Sequence, residues 1–262
     1  HGMAVNDQTF VSSAAHADVA LVHNGPQLAT FRVRTTMGVP AEFEFDSGMR
    51  RSPEIVPLVV DSLVSLRPGA DRLEVETTVT NTADDHRLRV LLPSGAPAET
   101  YLADSQFDVV ERPIALRADN HLYRELEVEP KPQQSWTAVF AQGRGLAIVA
   151  PGLLETAVRD TPERILALTL FRGTRRTVGT TGEPEGQLRG TLRFRYWIVP
   201  LADTPDRARL CDLGQRLAAG LRAAQLAQKD ITYLRSEQCL PPEASFLKVE
   251  APAVVTSARM VS

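Results

Sequence analysis

The chain has 262 residues, with 29 Lys and Arg against 32 Asp and Glu, a formal net charge of −3, 43% hydrophobic residues and 23% charged ones. That balance belongs to a globular protein rather than a disordered one. No apolar run approaches the roughly 18–20 residues of a membrane-spanning helix, and the near-neutral charge leaves no footprint for nucleic acid or an anionic membrane, so neither is expected as a partner. The 18 Pro and 16 Gly favour short strands and many turns.

His1-Gly2-Met3 reads as the scar of an affinity tag, and residues 4–18 as a small, polar lead-in, so one domain is expected over 19–262. No signal peptide follows the scar, and a cytoplasmic location is expected. From Val19 onward, short apolar runs alternate with turn residues. Val19–Val22 stops at Asn24-Gly25-Pro26, and Leu28–Thr35 alternates Phe31, Val33 and Thr35 against Arg32 and Arg34, the pattern of a half-buried strand. Leu58–Leu66 and Leu73–Val79 flank Pro68-Gly69-Ala70-Asp71 as a hairpin. Arg87–Leu92, Trp136–Phe140, Leu146–Val149, Ile165–Phe171 and Gly190–Val199 continue the series. The last alternates Leu192, Phe194, Tyr196 and Ile198 against Arg193, Arg195 and Trp197. Strands at this spacing without intervening helices predict an antiparallel sandwich or barrel.

One helix is predicted near 205–228. Thr204 supplies a cap, Pro205 the first helical position and Asp206 an acid in the first turn, while Leu210, Leu213, Leu217, Leu221 and Ala224 form an apolar stripe. Strand character resumes at 245–249 and 253–257. Its abrupt stop at the chain's end raises the expectation of a truncated chain.

Chemistry-bearing motifs are sparse. Cys211 and Cys239 form no paired-cysteine unit and read as idle thiols. His16, His23, His86 and His121 lie more than four residues apart, so no local metal site is written into the sequence, and no catalytic motif is present. Two loops are richer. Asp104-Ser105-Gln106-Phe107-Asp108, followed by Glu111-Arg112-Pro113, sets two carboxylates around an aromatic residue. Paired carboxylates serve sugar hydrolysis when held about 5–9.5 Å apart, but the same residues also build turns that accept backbone hydrogen bonds and pair with arginines. Phe171-Arg172-Gly173-Thr174-Arg175-Arg176 is a basic turn, suited to an anionic or hydroxyl-rich ligand or to solvent.

The stretches 85–93 and 101–113 resemble glycoside hydrolase family 38, in the β-sandwich region C-terminal to the catalytic barrel of bacterial-type α-mannosidases. Gly152-Leu153-Leu154-Glu155, Leu168–Arg172, Glu185–Gly190, Val22–Pro26 and Leu247–Arg259 match in the same order. The resemblance implies a mainly β, antiparallel supersandwich, galactose mutarotase-like, and a parent enzyme that retains configuration with an aspartate nucleophile, an aspartate acid/base and one zinc. Those groups belong to a barrel that this sequence lacks. No catalytic residue, metal ligand or cofactor is therefore assigned to this chain, and it is expected to hydrolyse nothing alone. The implied partner is the catalytic barrel of its own parent, with carbohydrate as a second candidate. Asp104, Phe107, Arg112 and Arg172 are the candidates for bordering the cleft or the domain interface. The alternative is a freestanding sugar-acting domain: a mutarotase, for which only His86 and His121 lie deep enough among the strands, or a carbohydrate-binding module stacking sugar on Trp197, since Trp136 sits mid-strand.

Overall fold

The computed structural model describes residues 8–220 except 47, 175, 178, 179, 182 and 183. A 3₁₀ turn (Ser12–Ala14) leads into β1 (Ala17–Gly25) and β2 (Leu28–Pro40), then the short β3 (Phe43–Glu44) and β4 (Arg50–Arg51), then the hairpin of β5 (Ile55–Leu66) and β6 (Leu73–Asn81). There follow β7 (Arg87–Pro93), β8 (Thr100–Asp104), β9 (Val109–Pro113), β10 (Lys131–Pro132), β11 (Trp136–Ala141), β12 (Arg144–Val149), β13 (Glu155–Val158) and β14 (Ile165–Arg172). The two-residue β15 (Arg176–Thr177) and β16 (Thr180–Thr181) precede β17 (Gly190–Leu201) and the helix α1 (Arg207–Ala219).

Neighbouring strands pair antiparallel throughout. Nine form one sheet in the order β1-β2-β5-β6-β17-β12-β11-β8-β9, and four form a second, β10-β13-β14-β7. The architecture is an antiparallel β-sandwich. The β11–β12 connection is a two-residue turn with positive φ at Gln142 (50°) and Gly143 (76°), the combination that matches strand twist in a tight hairpin.

Cross-strand partners share a face, so the register sorts inside from outside. Val64, Val75 and Tyr196 form one inward row, and Leu63, Glu76 and Arg195 the adjacent outward row. Leu58, Val79, Val139 and Ile148 from the large sheet meet Val158, Leu166, Leu168 and Leu170 from the small one. Each such buried side chain contributes about 1.5–3 kcal/mol. The predicted alternation of β2 holds in register, because Phe31 lies opposite inward Val64. Four strands cannot roof nine, however, and toward the β1 edge the inner row is uncovered, with Leu21 and Phe31 about half exposed.

On the opposite face of the large sheet α1 covers β11, β12 and the end of β17. Leu210, Leu213 and Leu217 pack on Trp136, Ala138, Ala147, Val149 and Val199, and Gly214 approaches so closely that an added Cβ would lie 2.5 Å from Ser135 Oγ. Two details correct the sequence reading. The cap is Asp206, whose Oδ1 accepts the Arg209 N–H at 3.1 Å, rather than Thr204; Pro205 is buried ahead of the helix instead of opening it. The helix ends at Ala219, where Gly220 takes φ 65°. Leu221, Ala224, Gln228, Cys239 and the strands expected at 245–249 and 253–257 lie outside the described residues. No described helix is long and apolar enough to cross a membrane.

Candidate functional site

The β8–β9 hairpin edges the large sheet. Tyr101 and Ala103 of β8 point into the core, which leaves the turn to project. The turn closes by Ser105 N–H donating to the Asp108 carbonyl at 2.9 Å and Val109 N–H to Asp108 Oδ1 at 2.7 Å. Phe107 occupies its tip with φ 71° and is fully exposed. The hairpin is fastened from behind. The Asp104 carbonyl accepts Gln134 N–H at 2.9 Å, its carboxylate accepts the Ser135 hydroxyl, and Arg112 Nη1 donates to the Pro132 carbonyl at 2.7 Å. Asp104 and Arg112 therefore tether the segment 132–135, and Asp104 bonds a serine where a turn arginine was an expected partner.

Arg172 belongs to a different cluster, on the outer face of the small sheet. Its Nη2 donates to Glu155 Oε2 at 2.7 Å, Thr169 Oγ1 donates to Oε1 at 2.7 Å, and Arg87 Nη1 lies at 3.5 Å. Burial pushes the Glu155 carboxyl up, but the Thr169 hydroxyl and the charges of Arg172 and Arg87 outweigh it and hold the group below the ordinary 4.5. The two clusters adjoin through the β10–β13 register, where Pro132, acceptor for Arg112, lies opposite Glu155, acceptor for Arg172. The four predicted residues thus divide into a projecting aromatic, two tethers and one ion-paired arginine.

A third group escaped the sequence reading. Asp85, at φ 54°, donates its N–H to Gln187 Oε1 and accepts Gln187 Nε2 at its Oδ1, both at 2.8 Å, while its carbonyl accepts Arg51 Nη1 at 2.6 Å. Asp84 holds Arg189 by two bonds of 2.7 Å, and Asn81 Nδ2 reaches the carbonyls of Gln187 and Leu188. The matches at 85–93 and 185–190 hold Asp85, Gln187 and Arg189, and no local spacing announces a contact between positions about a hundred apart.

His86 follows, its ring edge-on to Phe171 at 5.2 Å between centroids and both nitrogens buried without a hydrogen-bond partner. Burial lowers its pKa from the ordinary 6.5, the Arg51 charge adding to that, against the pull of the Asp84 main chain and of the Asp84 and Asp85 carboxylates. The unfolded chain takes up this proton first. The His86 contribution is therefore unchanged above about pH 6.5 and is lost as the pH falls below it. Urea unfolding between pH 7.5 and 5.5 should show that decline, and His86→Phe should flatten it; an unaltered slope in the variant would assign the decline to other groups.

His121 is exposed on a 3₁₀ turn (Asn120–Leu122), far from a buried acid role. Trp136 is fully buried, and the Arg72 guanidinium lies 4.5 Å from the Trp197 ring centroid, occupying a face that a sugar would need. Among the described residues no three His, Cys, Asp or Glu are grouped to hold a metal.

Residues 4–177 match the model of the Glycosyl hydrolases family 38 C-terminal domain. The chain belongs to that family. As a family 38 C-terminal domain it is 25% identical over 217 residues to the "Putative mannosylglycerate hydrolase" of Halalkalibacterium halodurans, a match covering 73% of this chain and 22% of that protein. Two solved structures are each 27% identical over 82% of this chain: an alpha-mannosidase from Enterococcus faecalis V583 (TM-score 0.72, 25% of that chain) and a glycosyl hydrolase family 38 protein from Enterococcus faecalis (TM-score 0.68, 26% of that chain). The chain therefore spans about a quarter of the length of these relatives. The family match contains Asp104, Phe107, Arg112 and Arg172, whereas β17 and α1 lie beyond it.

Proposed function

We propose that this domain is the non-catalytic support of a family 38 glycosidase acting on α-mannosides, packing on the catalytic barrel and bordering the sugar cleft. The observation that carries this reading is Phe107. An aromatic side chain fully exposed at the tip of a turn is costly to leave in water, and it is the kind of anchor that fills a pocket on a partner surface. The tethers at Asp104 and Arg112 hold that anchor ready and reduce the entropy lost on docking. Leu122, Leu126 and Leu154, on segments flanking β10, are also exposed. The likeness to longer relatives, one of them named an alpha-mannosidase, supports the same reading.

Two measurements test it. The 262-residue chain should release no chromophore from an aryl α-mannoside with zinc or cobalt added; turnover abolished by Asp104→Asn would overturn the non-catalytic role. Phe107→Ser should leave the unfolding free energy within about 0.5 kcal/mol, as a side chain facing only solvent does. A loss beyond about 1.5 kcal/mol would show that Phe107 serves this fold rather than a partner.

A further inference from the structure

The outer face of the small sheet carries more arginine than its carboxylates satisfy. Arg87 and Arg89 extend from β7, Arg159 follows β13, and Arg172 ends β14. In register Arg89 lies opposite Thr169 and Arg87 opposite Arg172, and Thr169 is bonded to the same Glu155 that holds Arg172. Ala157 and Ala167, paired on this face, give the long stems a flat floor. Glu155 takes Arg172 and Arg87, and Glu129 lies 3.8 Å from Arg159. Arg89 makes no ion pair among the described residues, and its Nη1 is buried without a hydrogen-bond partner, as is Arg159 Nε.

Four guanidiniums against two carboxylates leave an excess of two positive charges. A buried N–H without an acceptor is destabilising, the more so on a charged group. Burial and the charges of Arg87 and Arg159 lower the Arg89 pKa, which Glu129 and Glu155 only partly offset. Guanidiniums match planar carboxylate and tetrahedral phosphate or sulfate through forked N–H donors. We propose that the face built by Arg87, Arg89 and Arg159 beside Glu155 binds a small oxyanion, which supplies the acceptors that the protein's own carboxylates do not.

The test follows the unfolding midpoint of the 262-residue chain in sodium sulfate, phosphate and acetate against sodium chloride at matched ionic strength. Sulfate raises stability generically by exclusion, so the decisive signal is saturation and its dependence on this face. The native chain should show a saturable rise over chloride, and Arg89→Met should abolish it while its midpoint in chloride stays at or above that of the native chain. Glu155→Gln, which removes the competing charge and frees Arg172 and Arg87, should lower the half-saturating concentration severalfold. Preference for acetate over phosphate would make the ligand a carboxylate, and the reverse a tetrahedral anion; either supports the site. An equal rise in Arg89→Met and the native chain, or none over chloride, overturns it. If Arg89→Met fails to fold, an unchanged half-saturation in Glu155→Gln overturns it alone.

Discussion

Trp136→Ala should lower the unfolding free energy by about 3–5 kcal/mol, the range for emptying a buried aromatic site. The side chain is fully buried between the large sheet and α1, against Leu210, Leu213 and Leu217, and its Nε1 donates to Cys211 Sγ at 3.3 Å. Because Gly214 seats the helix against Ser135, α1 cannot slide inward to fill the gap without meeting that side chain. The loss should fall first on α1, held on this face by few other large residues. Urea unfolding gives the magnitude. Faster tryptic cleavage after Arg207, Arg209 or Arg216 gives the location. Burial raises the Cys211 thiol pKa, the Trp136 bond opposes that and the Asp104 charge adds to it. Emptying the Trp136 site opens the thiol to solvent, so it should react faster with a disulfide reagent, read by difference from Cys211→Ser. Unchanged cleavage and reactivity with a loss under 1 kcal/mol would mean that α1 does not depend on this contact.

The sandwich itself was legible because its physics is local. Alternation along 190–199 fixes which residues of β17 face the core, and the register confirms Tyr196 inside and Trp197 beneath α1. The turn at Asp108 was legible for the same reason, since an aspartate side chain satisfies the next N–H whatever the tertiary context. The helix start was misplaced by two residues because Thr204 and Asp206 are both good caps, and only the burial of Pro205 decides between them. The four site candidates lie on two loops, and nothing local says that one loop ends in an exposed aromatic while the other's Arg172 is paired with Glu155. Nothing local marks Arg89 within the run 87–92. Its lack of an acceptor emerges only when β13 and β14 bring Glu155 to its neighbours instead.

Gln187→Ala should cost about 2–4 kcal/mol, because it removes two hydrogen bonds at once from a buried aspartate held in a left-handed conformation. The side chain closes on both the N–H and the carboxylate of Asp85. The same segment carries the carbonyls that bind Asn81 and the Arg189 that binds Asp84. Gln187→Glu should be worse than alanine at neutral pH, since it sets a second carboxylate against Asp85 at hydrogen-bond distance, and it should recover as acid protonates one of the pair. The consequence reaches the arginine face. The clamp fixes the residue before His86, and the His86 carbonyl accepts Gly173 N–H at 2.8 Å, so the clamp sets where β7 begins and where Arg172 ends β14. A Gln187→Ala chain that still folds should therefore show a weakened oxyanion response as well as a lower midpoint. A double-mutant cycle with Asp85→Ala measures the coupling, expected above about 1 kcal/mol for groups in direct contact. Simple additivity would show that the two segments are held together by other contacts.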